Sequence, residues 1–584
     1  MNVSENKTVH TADVCVVGGG MSGICAAVAA ARHGAKVVLM QDRPMLGGNA
    51  SSEVRMWIRG AAGAENRESG ILQELEFENI YRNPTMNYSL WDTVLYQIVR
   101  NEENITLLLN CTCLGCETDG ARIASVTGWQ LNSYRYHTVT ARHFIDCSGD
   151  SILGALTGSP MRVGREGKDE FEEYGAPETA DRCTMGSSLI IQARQTDHPC
   201  PFIAPEWAYV YPTDESMHLH SHELPGSNFW WIEFGGENDT LNDAQMIGEE
   251  LLKISYGVWD HLKNQGDHGL DNWELEWIGF LPGKRESLRY EGAYILSQKD
   301  LEEGRHFEDT VAYGGWTMDN HSPKGFYFDG YSSHHITPAV PYEIPLRCLY
   351  STVVPNLLFA GRNISATHMA LSSTRVMATC SVIGQAAGTA AAVACAHGCE
   401  ADEADRLYIS EVQQTLIDDG CYLPGVPRKM PDCFPSGLDA EALEILKNGW
   451  ERPHGEADNA VTVCGTLTLL PEKHSGGVLR LALDPDFSRD SITKQSSYRK
   501  FAQRSHVRLD AKPLKMPKNM LRSCEIRYFG IDGSEQTVTI ENNRLPLLRV
   551  PVPAGTARAE IRNFSAWGGD EEKVRLFACD IREE

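Results

Sequence analysis

The sequence predicts an α/β chain in three parts: a doubly wound nucleotide-binding unit at the N-terminus, an inserted α+β region, and a C-terminal antiparallel β-sandwich module. Three observations predict it. A glycine-rich turn stands between two short apolar strands at residues 13–40. A second glycine-rich turn, followed by a small-residue helix, occupies residues 361–392. From about residue 460 the hydrophobic period becomes two, the period of half-buried strands.

The chain has 584 residues, 42% of them hydrophobic, which is enough for more than one domain. Its 79 acidic residues outnumber 53 basic ones, for a net charge of −26. That balance argues against nucleic acid and against an anionic membrane as partners, because both require clustered Lys and Arg. Met1–Lys7 lacks the apolar core of a signal peptide. The apolar runs Ile24–Ala31 and Ala386–Ala396 fall short of the roughly 20 residues a bilayer span needs. The 17 cysteines show no framework spacing and read as reduced thiols of a cytoplasmic protein.

Asp13–Val17 is an apolar strand that runs into Gly18-Gly19-Gly20-Met21-Ser22-Gly23, a G-x-G-x-x-G turn. Ile24–Arg32 is Ala-rich and helical, His33-Gly34 ends it, and Ala35–Met40 is the second strand. Gly18 permits the tight turn, Gly20 lets backbone approach a pyrophosphate, and Gly23 allows the helix to pack close to the strand. Ser22 lies in the same turn, and the helix N-terminus favours the phosphate charge. At the end of the second strand a carboxylate normally bonds the adenosine ribose. Gln41 stands there, followed by Asp42 and Arg43; the ribose contact is assigned to Gln41 or Asp42.

The dinucleotide is read as FAD. Gly47-Gly48-Asn49 forms a loop that lets backbone approach an extended ligand, where a plain NAD domain carries another helix–strand repeat. Far downstream, Asn356–Ala360 is a buried strand followed by Gly361 and Arg362, then by Leu371–Met377 and the small-residue helix Gly384–Ala392. A helix N-terminus at that place favours negative charge on a reduced flavin. The cofactor-contacting set is also taken to include Cys113, Gly149, Asp150, Gly361, Arg362, Ser373, Thr374 and Val376.

The segments Gln41–Glu53, Asp146–Asp150, Gly164–Glu166, Gly283–Ser287 and Asn356–Met377 resemble the bacterial FAD-dependent oxidoreductase family related to the fumarate reductase and succinate dehydrogenase flavoproteins. The resemblance spans roughly residues 12–395. It implies a glutathione-reductase-type FAD domain, FAD bound covalently or noncovalently, and redox chemistry. It also implies that the turn Asp146–Asp150 follows a strand returning to the FAD domain.

The expected organisation is a first part of the FAD domain over 1–155, an inserted substrate-facing region over 156–345, a second part of the FAD domain over 346–400, a helical linker over 401–455, and the sandwich over 456–584. Ile105–Cys113 and Arg122–Leu131 are expected as accessory strands. Phe229–Phe234, Trp273, Trp277 and Trp316 make the insert aromatic. In the last part Gly476–Leu483, Ser523–Tyr528, Gln536–Ile540, Leu547–Val550 and Ala557–Phe564 alternate as strands, with Asp532-Gly533 as a hairpin turn. This module would bind carbohydrate, contact a sister subunit in a homo-oligomer, or cover the FAD domain.

For catalysis, His368 is the first candidate for proton transfer, since it lies in the module expected near the flavin. Arg375 is placed to face the flavin or an anionic group, and Arg55 follows the Gly-Gly loop with Glu53 beside it. Arg285, Glu286 and Arg289 form a charged cluster, read equally as a solvated helical face. Of His334 and His335, adjacent on a strand, only one points into a given pocket, and His335 is taken. Cys111-x-Cys113-x-x-Cys116 lacks a fourth ligand, so no metal is expected. The favoured reaction moves a hydride between flavin N5 and a small polar substrate, with a carbohydrate or glycoside alcohol as the guess and an external electron partner unspecified. Its rival is reduction of an activated C=C bond; a third reading makes the protein an FAD-containing carbohydrate-binding scaffold.

Overall fold

The computed structural model describes residues 6–62, 66–224, 228–454, 457–484, 506–569 and 573–583. Met1–Glu5, most of the segment read for a leader, lies outside them. Residues divide into two compact units: 1–61, 85–412 and 499–513 form the first, and 62–84, 413–498 and 514–584 the second.

In the first unit the chain forms strands β1 (Lys7–Thr11) and β2 (Val14–Val17), helix α1 (Met21–Arg32), and β3 (Val37–Met40). It continues with β4 (Ile105–Leu108), β5 (Cys111–Asp119), β6 (Arg122–Gln130), β7 (Arg135–Thr140) and β8 (His143–Asp146). A hairpin of β9 (Met318–His321) and β10 (Ser333–Ile336) follows in the middle region. Then come β11 (Leu357–Phe359), α2 (His368–Thr374) and α3 (Met377–His397).

The centre is a five-stranded, all-parallel sheet ordered β11-β8-β2-β3-β4. Every residue of β2, β3, β8 and β11 is buried. Burial on both faces is why these strands read as unbroken apolar runs rather than alternating ones. The expected single strand Ile105–Cys113 is in fact two. Asn110 takes a left-handed φ of 53° and breaks it, so β4 joins the parallel sheet while β5 starts the accessory sheet β1-β7-β6-β5.

Helix α3 is long and apolar enough to cross a membrane, longer than the run Ala386–Ala396 implied, and its apolar stretch is wholly buried. Its small residues have a packing cause. A Cβ on Gly384 would sit 2.1 Å from the Ser22 carbonyl oxygen, and one on Gly388 would sit 2.2 Å from that of Ala26. The two glycines, one turn apart, let α3 lie directly against the backbone of α1. Gly388→Val is therefore expected to destabilise by about 3 kcal/mol or more, the upper range of overpacking. A thermal melt unchanged from wild type would contradict this seam.

The aromatic residues of the middle region are largely core. Phe229, Trp231 and Trp259 are buried in a cluster with Ile254, Val258 and Phe326. Aromatic density there reflects packing, so Phe229 and Trp231 offer no stacking face to a ligand.

In the second unit, one antiparallel sheet runs Pro435–Ser436, Leu467–Leu469, Thr556–Ala566, Leu521–Gly530, Glu535–Ile540. Another runs Val461–Thr462, Arg575–Glu583, Gly477–Leu483, Leu547–Val552. The period-two segments fall on these strands. Ala559 and Ile561 are buried while Arg558 faces solvent. At Asp532-Gly533 the chain turns with Gly533 at φ 83° and Gly530 N–H donating to Ser534 O at 2.9 Å.

Candidate active site

The cofactor cradle forms where β2 meets α1. Gly18 has φ 101°, and a Cβ there would lie 2.4 Å from the Cys147 carbonyl oxygen, so the turn passes too close to β8 for a side chain. A Cβ on Gly20 meets only the Gly48 Cα, at 4.0 Å, which leaves its outer side open. Gly47 N–H donates to Gly19 O at 2.8 Å, tying the second glycine loop to the first. Helix α1 begins at Gly20 with no side-chain cap and no acid in its first turn, so its leading amides face outward uncapped. These features fit an anionic pyrophosphate.

Gln41 is buried, and its side chain is occupied at both ends. Its Oε1 accepts from Gly19 N–H at 2.7 Å and its Nε2 donates to Met45 O at 2.9 Å. A glutamate offers only acceptors and could not bridge the two loops this way. The half-exposed carboxylate of Asp42, 3.8 Å from Arg43, is the open group at this point. Arg43 keeps one buried guanidinium nitrogen without a hydrogen-bond partner.

Toward the other end of the cradle, Asp150 accepts from Arg362 at 2.7 Å, Lys284 at 2.8 Å and Ser287 at 2.7 Å. Burial pushes its carboxyl up, but Arg362 and Lys284 outweigh that and hold it at about 2. A Cβ on Gly149 would meet the Arg362 guanidinium, so that glycine makes room for the arginine. Asn49 Nδ2 donates to Lys284 O at 2.9 Å. The stretch that follows β11 holds buried polar atoms without hydrogen-bond partners, Arg362 Nε, Asn363 Oδ1, Ser365 Oγ and Thr374 Oγ1. Ser373 Oγ instead donates to Trp316 O at 2.6 Å and pairs with Tyr342 at 2.7 Å. Val376 is the N-cap of α3, again without a side-chain cap. The Cys113 thiol is packed in the core against Met40 and Phe359, and burial pushes it up to about 12.

A polar cluster lies between α2 and the β9–β10 hairpin. Thr367 caps α2, its hydroxyl accepting from Ala370 N–H at 3.1 Å, and this fixes His368 at the first helical position. His368 is buried with both ring nitrogens engaged, Nδ1 with Glu286 at 2.9 Å and Nε2 with Asn320 Oδ1 at 3.0 Å. Its N–H donates to Glu166 at 2.8 Å, and Glu166 pairs with the fully buried Arg289 at 3.1 Å. Burial raises the Glu286 carboxyl, yet His368 and Arg289 together hold it low. His368 thus bridges the Glu286 carboxylate and the Asn320 amide, with no ring nitrogen turned to a ligand.

The second half of the cluster centres on Asp319. Arg375 Nη2 donates to the Asp319 carbonyl at 3.0 Å and lies 3.5 Å from its carboxylate. His321 Nε2 is 3.3 Å from the same carboxylate, and His335, paired across the hairpin with Asp319, approaches to 3.7 Å. Despite burial, these neighbours hold Asp319 far below the usual carboxylate range. His321 Nδ1 reaches Glu233 at 2.7 Å, and Glu233 pairs with Arg285 at 3.3 Å. Arg285 also donates to Ser188 Oγ at 2.8 Å and to Trp230 O at 2.9 Å. Within this group His335 alone is more than half exposed.

The fold thus brings Arg285, His335, His368 and Arg375 to one cluster. Arg285, Glu286 and Arg289 are buried beside two short strands, Gly283–Lys284 and Arg289–Tyr290, which corrects the solvated-helix reading. Arg55 stands apart: it bonds Gln192 and the Ser52 carbonyl and stacks 4.2 Å over Trp277, and Glu53 is not its partner in any of these contacts. Asp319, Asn320 and His321 were not singled out by the sequence, and their only signal is Asp-Asn-His as a polar run inside a short strand. Glu166 and Glu233 entered it only as members of the segments Gly164–Glu166 and Phe229–Phe234.

The family described as FAD dependent oxidoreductase matches residues 13–416. No curated protein matches the chain. Solved structures that it resembles include a geranylgeranyl bacteriochlorophyll reductase-like protein from Thermoplasma acidophilum, at 14% identity and TM-score 0.33 over 70% of this chain and 86% of that one. A variant of the E. coli quinol fumarate reductase subunit FrdA matches at 13% identity and TM-score 0.27, over 70% and 75%. The p-nitrophenol 4-monooxygenase PnpA from Pseudomonas putida matches at 11% identity and TM-score 0.32, over 70% and 86%.

Proposed function

We propose, for a chain that belongs to the FAD dependent oxidoreductase family, that it oxidises a polar alcohol, with a carbohydrate hydroxyl as the substrate to test first. FAD, its cofactor, supplies hydride acceptance at N5. Gly18, Gly20, Ser22, Gly23 and the open amides of α1 would hold the pyrophosphate, and Asp42 the ribose. Gly47, Gly48, Asn49, Arg362, Thr374 and Val376 would line the remainder. Residues 156–345 supply Arg285, Asp319 and His335, which supports reading them as a substrate-facing insert. The two antiparallel sheets of the second unit are read as a β-sandwich module. The 17 cysteines, scattered without framework spacing, are in keeping with a reducing cytoplasm.

The observation that carries this reading is the Asp319–His335 pair. Removing a hydride from an alcohol requires a base for the hydroxyl proton. A half-exposed imidazole 3.7 Å from an ionised carboxylate has that character, with its Nε2 meeting Ser333 Oγ at 3.1 Å. Arg375 and Arg285 are each matched by a carboxylate, so the cluster carries no surplus cation to attract an anionic substrate. Tyr331, 87% exposed between the two strands of the same hairpin, offers a flat apolar face to a sugar ring. Anaerobic mixing of the yellow protein with sugars and polyols is expected to bleach the flavin absorbance. His335→Gln should slow that bleaching by roughly 10²–10⁴-fold, the usual weight of a general base, with flavin content unchanged.

A second reading rests on Arg375 Nε, which is buried without a hydrogen-bond partner. A buried arginine with an unpartnered N–H beside the cluster suits reduction of an activated C=C bond. Chemically reduced enzyme that is reoxidised by enoates, but never bleached by alcohols, would establish that reading in place of the first.

A further inference from the structure

We propose that Asp214, His222, His261 and His268 form a binding site for a divalent transition metal, with zinc as the fitting ion. One ligand atom from each of the four lies within 4.8 Å of all the others. From Asp214 Oδ1 the distances are 3.3 Å to His261 Nε2, 3.8 Å to a His222 nitrogen and 3.9 Å to His268 Nε2. Bonds of about 2.0–2.1 Å in a tetrahedron place donors roughly 3.4 Å apart, so small side-chain rotations close the set. Three imidazoles and one carboxylate are the borderline donors that zinc selects, and four protein ligands make a closed, structural site.

Two further features point to a ligand rather than to a chance group of histidines. His261 is fully buried, and its Nε2 has no hydrogen-bond partner. Its Nδ1 lies 2.7 Å from the Tyr211 carbonyl, which in the neutral ring makes Nδ1 the donor and leaves a lone pair on Nε2 directed into the cluster. A backbone carbonyl behind a ligating histidine is the usual second support of such sites. Leaving a buried acceptor orphaned is unfavourable, and a bound cation would remove that cost. The neighbouring His220 shows the contrast: its ring bonds Phe326 O and Ser332 and stacks on Trp231, so it takes no part. His268 Nε2 sits 3.0 Å from Gln265 O, a bond that the metal would replace. The side chain of Asp214 is 69% exposed and provides the route of entry.

The ligands come from two stretches, Asp214 and His222 before helix Ala244–Asn264, and His261 and His268 at and after its end. The metal would therefore pin the 211–222 segment to that helix, and no redox or group-transfer step is implied.

Holoprotein should be loaded with zinc, dialysed against metal-free buffer and assayed for zinc and FAD by elemental analysis and absorbance. Wild type is expected to retain roughly one zinc per chain, as a four-ligand site does, and its cobalt form to show intense tetrahedral visible bands. A double variant, Asp214→Asn with His222→Ala, avoids the buried His261. It should bind zinc at least about 100-fold more weakly while keeping its FAD, and a chelator should lower the melting temperature of wild type only. Equal zinc retention by both proteins, or none by wild type, would overturn the site.

Discussion

Gly23→Val is expected to give a colourless protein whose affinity for FAD is at least about 100-fold below wild type, a loss of roughly 2.7 kcal/mol. A Cβ at this position would lie 1.8 Å from the Gly18 carbonyl oxygen and 3.2 Å from Cys147 Cβ. The Gly18 backbone has no room to retreat, because its N–H donates to Met40 O at 2.8 Å and its φ of 101° belongs to glycine alone. Relief must come from tilting α1 away from β2, which moves the uncapped amides off the phosphates. Far from the cradle, Gly34 has a φ of 86° but nothing within 4 Å of an added Cβ. Gly34→Ala should therefore cost about 1 kcal/mol of backbone strain and leave flavin binding intact. Bound flavin per chain, with far-ultraviolet circular dichroism as the check on folding, measures both. Wild-type flavin content in the Gly23→Val protein would refute the cradle.

The contrast between these glycines bears on what was legible in the sequence. The G-x-G-x-x-G turn declared itself because one short stretch carries strand, turn and helix together. The buried strands β2 and β3 were legible for the same local reason, and so were the period-two strands of the second unit, whereas β8 was implied only by the family resemblance. The break at Asn110 was not, since a polar residue between two apolar runs reads equally as one strand or two. The polar cluster was largely hidden. Its members come from Glu166, Glu233, Arg285–Arg289, Asp319–His321, His335, His368 and Arg375, and only tertiary packing brings them together. His368 was found through its neighbourhood in sequence, but its burial, with both nitrogens engaged, follows from Glu286 and Asn320. The four candidate metal ligands share the difficulty: 39 residues separate His222 from His261, and no spacing rule joins them.

Asp319→Asn tests that cluster most sharply. The carboxylate is the common neighbour of Arg375, His321 and His335, and an amide of the same shape removes its charge while keeping its volume. Turnover with the substrate that bleaches wild-type flavin is expected to fall by roughly 10²–10⁴-fold, the weight of general-base catalysis, because the charge facing His335 is lost. The flavin content should not change, because none of the cradle residues bonds Asp319. Stability carries a second signature whose sign is fixed by the depressed Asp319 carboxyl. A depressed carboxyl stabilises the fold at pH values above that of the unfolded aspartate, roughly 3.9. It loses that contribution as pH falls toward the folded value, because the unfolded chain takes up its proton first. The Asp319→Asn variant should thus melt below wild type at neutral pH, and the gap should narrow as pH drops below about 4. A gap that stays constant with pH would mean that Asp319 acts by packing alone. Wild-type turnover in the variant would remove Asp319, and with it the charge beside His335, from the reaction.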